Sequence, residues 1–313
     1  MLQTGAADHN RILAKAAEWA GTPMALATVI EAWRSAPCPV GTHMLVHEDG
    51  AFVGSVSGGC VEGDVLQIAS EIIAGAPATV RRYGVADGAA WEVGLPCGGN
   101  IAVLVQPVSV LGFAPALFER IVTANAAGET LRIGTDLAKG TSDVVAQRSE
   151  DQFLNVYAPP KRLLIIGAVE IAAALAGIAQ QLGFAVTVID PRARFLTEER
   201  FPGVARDERW PDEAVSALRP DSRTAIVTLS HDIKIDDPAL VAALASPAAY
   251  VAALGSTSSH AARLDRLRGL GIAPDQLARI EGPAGVALNA ISAPEIALSI
   301  AAGMVRVMND GLR

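Results

Sequence analysis

The sequence predicts an α/β protein in two parts: an N-terminal domain of mixed strands and helices, then a C-terminal domain built on a parallel sheet. Three observations carry that expectation. The chain has 313 residues, and at roughly 100–200 residues per domain that length holds two separate cores. Hydrophobic residues make up 51% of it while aromatics are only 4%, so the apolar half is aliphatic and suits helices packed on sheets. The second half alternates short apolar, β-branched runs with helical patterns, as strands joined by crossover helices do.

In the first half, residues 12–20 have the period of an amphipathic helix. Met24–Trp33 and residues 42–46 read as strands, separated by the turn-rich stretch 35–41, and Glu48-Asp49-Gly50 reads as a hairpin turn into a strand over 52–56. From 59 to 74 the period becomes helical, with Val61, Val65, Ile68 and Ile72 on one face. Thr79–Tyr83 and residues 101–107 are expected as strands, and 115–127 as a helix. Tyr157-Ala158-Pro159-Pro160 is the expected linker, because paired prolines continue neither a helix nor a central strand. The domains are therefore expected at 1–157 and 161–313. In the second, strands are expected at 163–166, 186–189, 225–229 and 250–254, and helices at 170–182, 212–218, 238–245, 260–270 and 293–307.

Composition excludes several classes of function. There are 25 Lys plus Arg against 33 Asp plus Glu, a formal charge of −8, and no basic stripe of the kind that binds nucleic acid. Three cysteines without a C-x-x-C pair do not make a disulfide scaffold, and they point to a reducing compartment. No run of about 18 apolar residues predicts a membrane span. The opening MLQTGAADHNR lacks the basic-then-apolar order of a secretory signal. A soluble, cytoplasmic protein is the expectation, and a homodimer is expected because two-fold dimers are the commonest assemblies.

The strand at 163–166 runs into Gly167-Ala168-Val169-Glu170-Ile171-Ala172, where a Rossmann-like domain carries G-x-G-x-x-G. Gly167 supplies the tight turn. Val169, however, puts a branched side chain where a pyrophosphate needs bare backbone, and Glu170 puts a negative charge where a phosphate would sit. Asp190, after the next strand, stands at the place of a ribose-binding acid. The loop reads as degenerate, a Rossmann-like shape without ordinary NAD(P) binding. An NAD(P)-dependent oxidoreductase is the alternative reading of this half.

Two glycine–cysteine loops mark the first half. Gly54-Ser55-Val56-Ser57-Gly58-Gly59-Cys60-Val61-Glu62 passes from a strand into a helix. Paired glycines let N–H groups converge near a helix start, which makes an anion-receptive cradle. Cys60, expected in the first helical turn, is either a reactive thiol whose pKa that field lowers or a small residue filling space below the turn. Leu95-Pro96-Cys97-Gly98-Gly99-Asn100 repeats the pattern before a strand, which favours one shared pocket. Cys38, between two prolines, reads as structural. His43 and His47 share one face of a strand and are expected to be exposed and inert.

The run GSVSGGCVEGDV, the later GLPCGG and the Rossmann-like second half resemble the XdhC/CoxI family, accessory proteins that mature molybdenum hydroxylases such as xanthine dehydrogenase. Further matches are Thr228-Leu229-Ser230-His231-Asp232, Leu254-Gly255-Ser256 followed by His260, and the closing Pro294-Glu295-Ile296-Ala297-Leu298-Ser299-Ile300. The resemblance implies a non-catalytic chaperone. It would hold molybdenum cofactor while sulfur from a cysteine desulfurase replaces an oxo ligand, then deliver it to the apo hydroxylase. The residues implied to contact the cofactor are Ser57, Gly58, Gly59, Cys60, Glu62, Cys97, Gly98 and Gly99, with Cys60 and Cys97 as contacts to molybdenum or sulfur. Departures fall in the second half: Val169-Glu170 replaces a Gly-His pair, Thr257 and Ser258 stand where arginines are common, and Glu281-Gly282-Pro283-Ala284-Gly285 replaces a His-Ala-Pro-Ile-Gly-like segment. Cofactor binding is therefore expected in the first half or at the cleft between the halves. A thiol-based enzyme and a purely structural assembly factor are the remaining readings.

Overall fold

The computed structural model describes residues 6–33, 36, 38–84 and 99–309. The chain divides into two compact units, Met1–Pro159 and Pro160–Arg313.

The first unit contains α1 (Ala6–Glu18), β1 (Met24–Trp33), β2 (His43–His47), β3 (Phe52–Gly54), α2 (Glu62–Ile73), β4 (Thr79–Tyr83), β5 (Asn100–Pro107) and α3 (Ala116–Ala127). Three strands follow, β6 (Leu131–Asp136), β7 (Thr141–Val144) and β8 (Gln152–Tyr157). Strands β3-β2-β1-β5-β4 form one antiparallel sheet and β7-β6-β8 a second. The near-continuous apolar run of β1 follows from burial on both faces of its sheet. Ala25, Ala27 and Val29 face Val65, Ala69 and Ile72 of α2. Met24 and Leu26 face Ile12 of α1 and Leu117 and Ile121 of α3. The second sheet is not foreseen from the sequence, because its strands carry polar residues at half their positions and no sustained apolar alternation marks them. Tyr157, expected in the linker, is the last residue of β8 and is buried.

The second unit runs β9 (Arg162–Ile166), α4 (Glu170–Gln181), β10 (Ala185–Ile189), β11 (Ala205–Asp207), α5 (Pro211–Leu218), β12 (Thr224–Thr228), α6 (Ile233–Leu244), β13 (Tyr250–Ala253), α7 (Thr257–Gly269), α8 (Pro274–Leu277), β14 (Ile280–Glu281) and α9 (Ala293–Asn309). Its six strands are all parallel, in the order β11-β10-β9-β12-β13-β14. Leu163 and Ile165 pack against α4 and α9, while Leu164 and Ile166 pack against α5, α6 and α7. This is the Rossmann-like architecture the sequence predicts. The order reverses between β9 and β12, so the loops after those strands flank the switch point where such sheets bind ligands.

Helix starts differ from expectation where caps decide them. Helix α6 begins at Ile233 rather than 238, because the Asp232 side chain accepts from Lys234 N at 2.9 Å. Helix α7 begins at Thr257 rather than 260, because Ser256 Oγ accepts from Ser259 N at 3.1 Å. Among the described residues, no helix is long and apolar enough to cross a membrane.

Candidate functional site

Strand β3 ends at Gly54, whose φ is +87° and where an added Cβ would lie 2.3 Å from the His43 carbonyl oxygen. The chain crosses the start of β2 too closely for any side chain there. The loop that follows is organised around Glu62, the first residue of α2, which is only 8% exposed. Its side chain turns back into the loop. Oε1 accepts from Val56 N at 3.1 Å, from Ser57 N at 2.9 Å and from the Ser55 hydroxyl. Oε2 accepts from Gly59 N at 2.9 Å, Val61 N at 3.2 Å and the Ser57 hydroxyl. The remaining amides find the serines: Gly58 N donates to Ser55 Oγ at 2.8 Å, and Cys60 N to Ser57 Oγ at 2.9 Å. Every N–H from Val56 to Val61 therefore has a partner inside the loop. The converging amides assigned from sequence to an external anion hold the protein's own carboxylate.

Burial alone would raise the pKa of Glu62, but the hydroxyls of Ser55 and Ser57 and the Ser57 amide outweigh it and hold the carboxyl at about 2. The charge is thus fixed beneath the loop. What remains outward is Gly58, Gly59 and Cys60, all exposed, with φ of +74° and +115° at the two glycines and open space around both. Helix α2 starts at Glu62, so Cys60 lies ahead of the first turn rather than within it, where the sequence predicts it. The helix starts late because the Glu62 side chain needs the preceding residues curled around it.

The strand that follows the second glycine–cysteine motif starts at the same end of the sheet. The carboxyl ends of β1, β3 and β4 and the amino ends of β2 and β5 share that edge, as the pairing of Trp33 with Asn100, Tyr83 with Ile101 and Met44 with Gly54 requires. Gly99 is buried just before β5. Cys97 and Gly98 lie outside the described residues. Asp64, on the first turn of α2, accepts from Tyr83 Oη at 2.7 Å and Arg81 Nε at 3.3 Å, tying the loop's helix to β4. Cys38 is half-buried against the α2-side core, with its Sγ 3.9 Å from the Ser55 carbonyl oxygen. It packs beneath the same loop.

His43 corrects a second expectation. It is 4% exposed, not a surface residue. Its Nδ1 shares a hydrogen bond of 2.9 Å with the Thr28 hydroxyl, and Tyr157 Oη (2.8 Å) and Asn155 Nδ2 (3.1 Å) converge on Nε2. Burial, then the neighbouring His9 ring 5.3 Å away, hold its pKa well below the ordinary 6.5. Alternation alone does not show this, since Asn155 and Tyr157 come from β8, a strand that the apolar pattern does not announce.

In the second unit, Gly167 has φ +97° and its Cβ position lies 2.8 Å from Ser230 N, so the two loops at the switch point touch there. Ala168 N, in the degenerate loop, donates to Asp190 Oδ2 at 2.7 Å. Asp190 is fully buried and also accepts from Arg192 N and Nε at 2.9 Å and Nη2 at 2.8 Å. Burial opposes its ionisation, but Arg192 and the Ala168 amide hold its pKa below the usual carboxylate value. The acid at the ribose position is thus committed to its own loop and to an arginine. Val169 packs on the core and Glu170 is exposed.

Among known proteins, the family model described as XdhC and CoxI family matches residues 18–84, and that described as XdhC Rossmann domain matches residues 163–304. The molybdenum cofactor insertion chaperone PaoD of Escherichia coli K12 is 30% identical over 307 residues, 96% of this chain and 89% of the relative. A protein of Bacillus subtilis 168, described as a probable xanthine dehydrogenase component, is 24% identical over 310 residues, 90% of this chain and 92% of the relative. A crystal structure from Bacillus halodurans, described as a xanthine dehydrogenase, has the same fold, with a TM-score of 0.82 and 24% identity over 97% of this chain and 96% of that one.

Proposed function

Because the chain belongs to the XdhC and CoxI family, we propose that it is a molybdenum cofactor chaperone that holds the cofactor at the Gly–Cys end of the first unit and passes it to an apo molybdenum hydroxylase. The observation that carries this reading is the exposed Gly58-Gly59-Cys60 rim, held in one shape by the buried Glu62 carboxylate. Molybdenum and transferable sulfur are soft partners for a thiolate, and two bare glycines let a bulky planar ligand approach the backbone. Glu62 serves as the internal anion that sets the loop, and the direct contacts belong to Gly58, Gly59 and Cys60, with Cys97, Gly98 and Gly99 completing the site. Ser57 acts through its hydroxyl on the loop amides.

The finer steps follow the same chemistry. The cofactor is held while a cysteine desulfurase supplies sulfur, the protein works in the cytoplasm as a homodimer, and NAD(P) has no part in it. Commitment of Asp190 to Arg192 and Ala168 supports the last point. Full-length protein purified from a host that makes the cofactor is expected to carry molybdenum and pterin, and to co-purify with a desulfurase and a hydroxylase. Protein that carries neither molybdenum nor pterin, yet binds NADH tightly, would overturn the reading.

A further inference from the structure

The proposed function uses the first unit and leaves unexplained two passages of the second, Thr228–Asp232 and Leu254–Ser256, which follow the adjacent strands β12 and β13. Between helices α6 and α7, which they start, lies a cleft of about 280 Å³. Arg263, in the second turn of α7, lines it while only 5% exposed. Its Nη2 donates to the Leu254 carbonyl at 2.8 Å. Its Nε and Nη1 are buried and have no hydrogen-bond partner among the described residues. A guanidinium is always charged, and unpaired buried N–H groups on it are costly, so an acceptor is missing from the arrangement.

The neighbouring charges do not supply it. Asp237 is taken by Arg266, at 2.7 and 3.0 Å. Asp236 is 2% exposed and accepts from Ser230 Oγ at 2.6 Å and Ser230 N at 3.3 Å, without a hydrogen bond to Arg263. Among the described residues, one more buried atom without a partner, Thr228 Oγ1, sits at the start of the first of these passages. Beside the guanidinium is the N-terminus of the 13-residue helix α7, where Ser256, Ser258 and Ser259 are exposed and Ser256 Oγ shares hydrogen bonds of 2.9 Å with the hydroxyls of Ser258 and Ser259. Gly255 leaves this approach uncovered, since a Cβ there would stand 3.7 Å from Arg263 Nη2.

We propose that this cleft binds a phosphoryl group, with Arg263 donating to its oxygens from below and Ser259 and the α7 N-terminus from the side. Three oxygens and up to two negative charges match a buried guanidinium beside a helix start better than a carboxylate does. The group comes either from free phosphate or from a phosphomonoester.

Calorimetric titration of the full-length protein at constant ionic strength tests this, with inorganic phosphate, glycerol 3-phosphate and acetate as separate probes. Saturable binding of a phosphate at least tenfold tighter than acetate is expected, and the ratio of the two phosphates identifies the source. Arg263→Gln is expected to weaken phosphate binding tenfold or more, and Ser259→Ala about threefold. Asp236→Asn, which removes the opposing charge, is expected to tighten it. Equal binding of acetate, or unchanged affinity in Arg263→Gln, would overturn the proposal. Should Arg263→Gln not fold, unchanged affinity in both Ser259→Ala and Asp236→Asn would overturn it instead.

Discussion

Glu62 is the residue on which the candidate loop depends. Replacing it by Gln turns one carboxylate oxygen into a donor, so either the amides of Val56 and Ser57 or those of Gly59 and Val61 lose their acceptor. Depression of its pKa from 4.5 to about 2 corresponds to about 3 kcal/mol at neutral pH. Glu62→Gln is therefore expected to lower the unfolding free energy by roughly 2–3 kcal/mol, measured by denaturant titration. The sign with pH follows from the depressed value. Above about pH 5 the contribution is complete, and between about 4.5 and 2 the unfolded chain takes up the proton first, so stability falls. The same sense holds for His43, which stays neutral while the unfolded chain protonates below about 6.5. Its ring proton resonances are expected not to move between pH 7.5 and 5.5, and a full titration in that range would contradict the buried assignment. The cysteine and the glycines of this loop are legible in the sequence, because their types alone announce thiol chemistry and close approach. The role of Glu62 is not, since the direction of its side chain depends on how the preceding residues from Ser55 to Val61 curl.

At the level of elements, two turns set the geometry. Gly54→Ala would meet both a positive φ and the His43 carbonyl, so a loss of about 2–4 kcal/mol is expected from thermal or denaturant unfolding, with displacement of the loop after β3. In the second unit, restoring a glycine at the degenerate turn tests whether Val169 alone blocks a dinucleotide. Val169→Gly is expected to leave NADH binding undetectable by fluorescence titration, because Asp190 remains bonded to Arg192 and Ala168. Tight NADH binding by that variant would show the turn, not the acid, to be decisive. Strands and helices with strong periodicity, such as β1, α2 and α4, are readable because both faces of the sheets are buried and the pattern is unambiguous. Strands β6 to β8 are not, because residues such as Gln152 and Asn155 serve hydrogen bonds that an apolar pattern does not report.

Across the whole molecule, each unit buries its own core, one around β1 and α2 and the other around β9 and its flanking helices. Residues 160–313 expressed alone are expected to fold cooperatively, with helical and strand content by circular dichroism. The acidic balance of the chain, −8 overall, gives no general surface attraction for an anionic ligand. On the proposed reading, retention of cofactor rests on the Gly58-Gly59-Cys60 rim. The most direct test is molybdenum per chain in full-length wild type and Cys60→Ala, purified side by side from a cofactor-producing host, with melting temperatures matched. Severalfold lower molybdenum in Cys60→Ala at an unchanged melting temperature is the expected result. Equal molybdenum in the two proteins would contradict the assignment of the site.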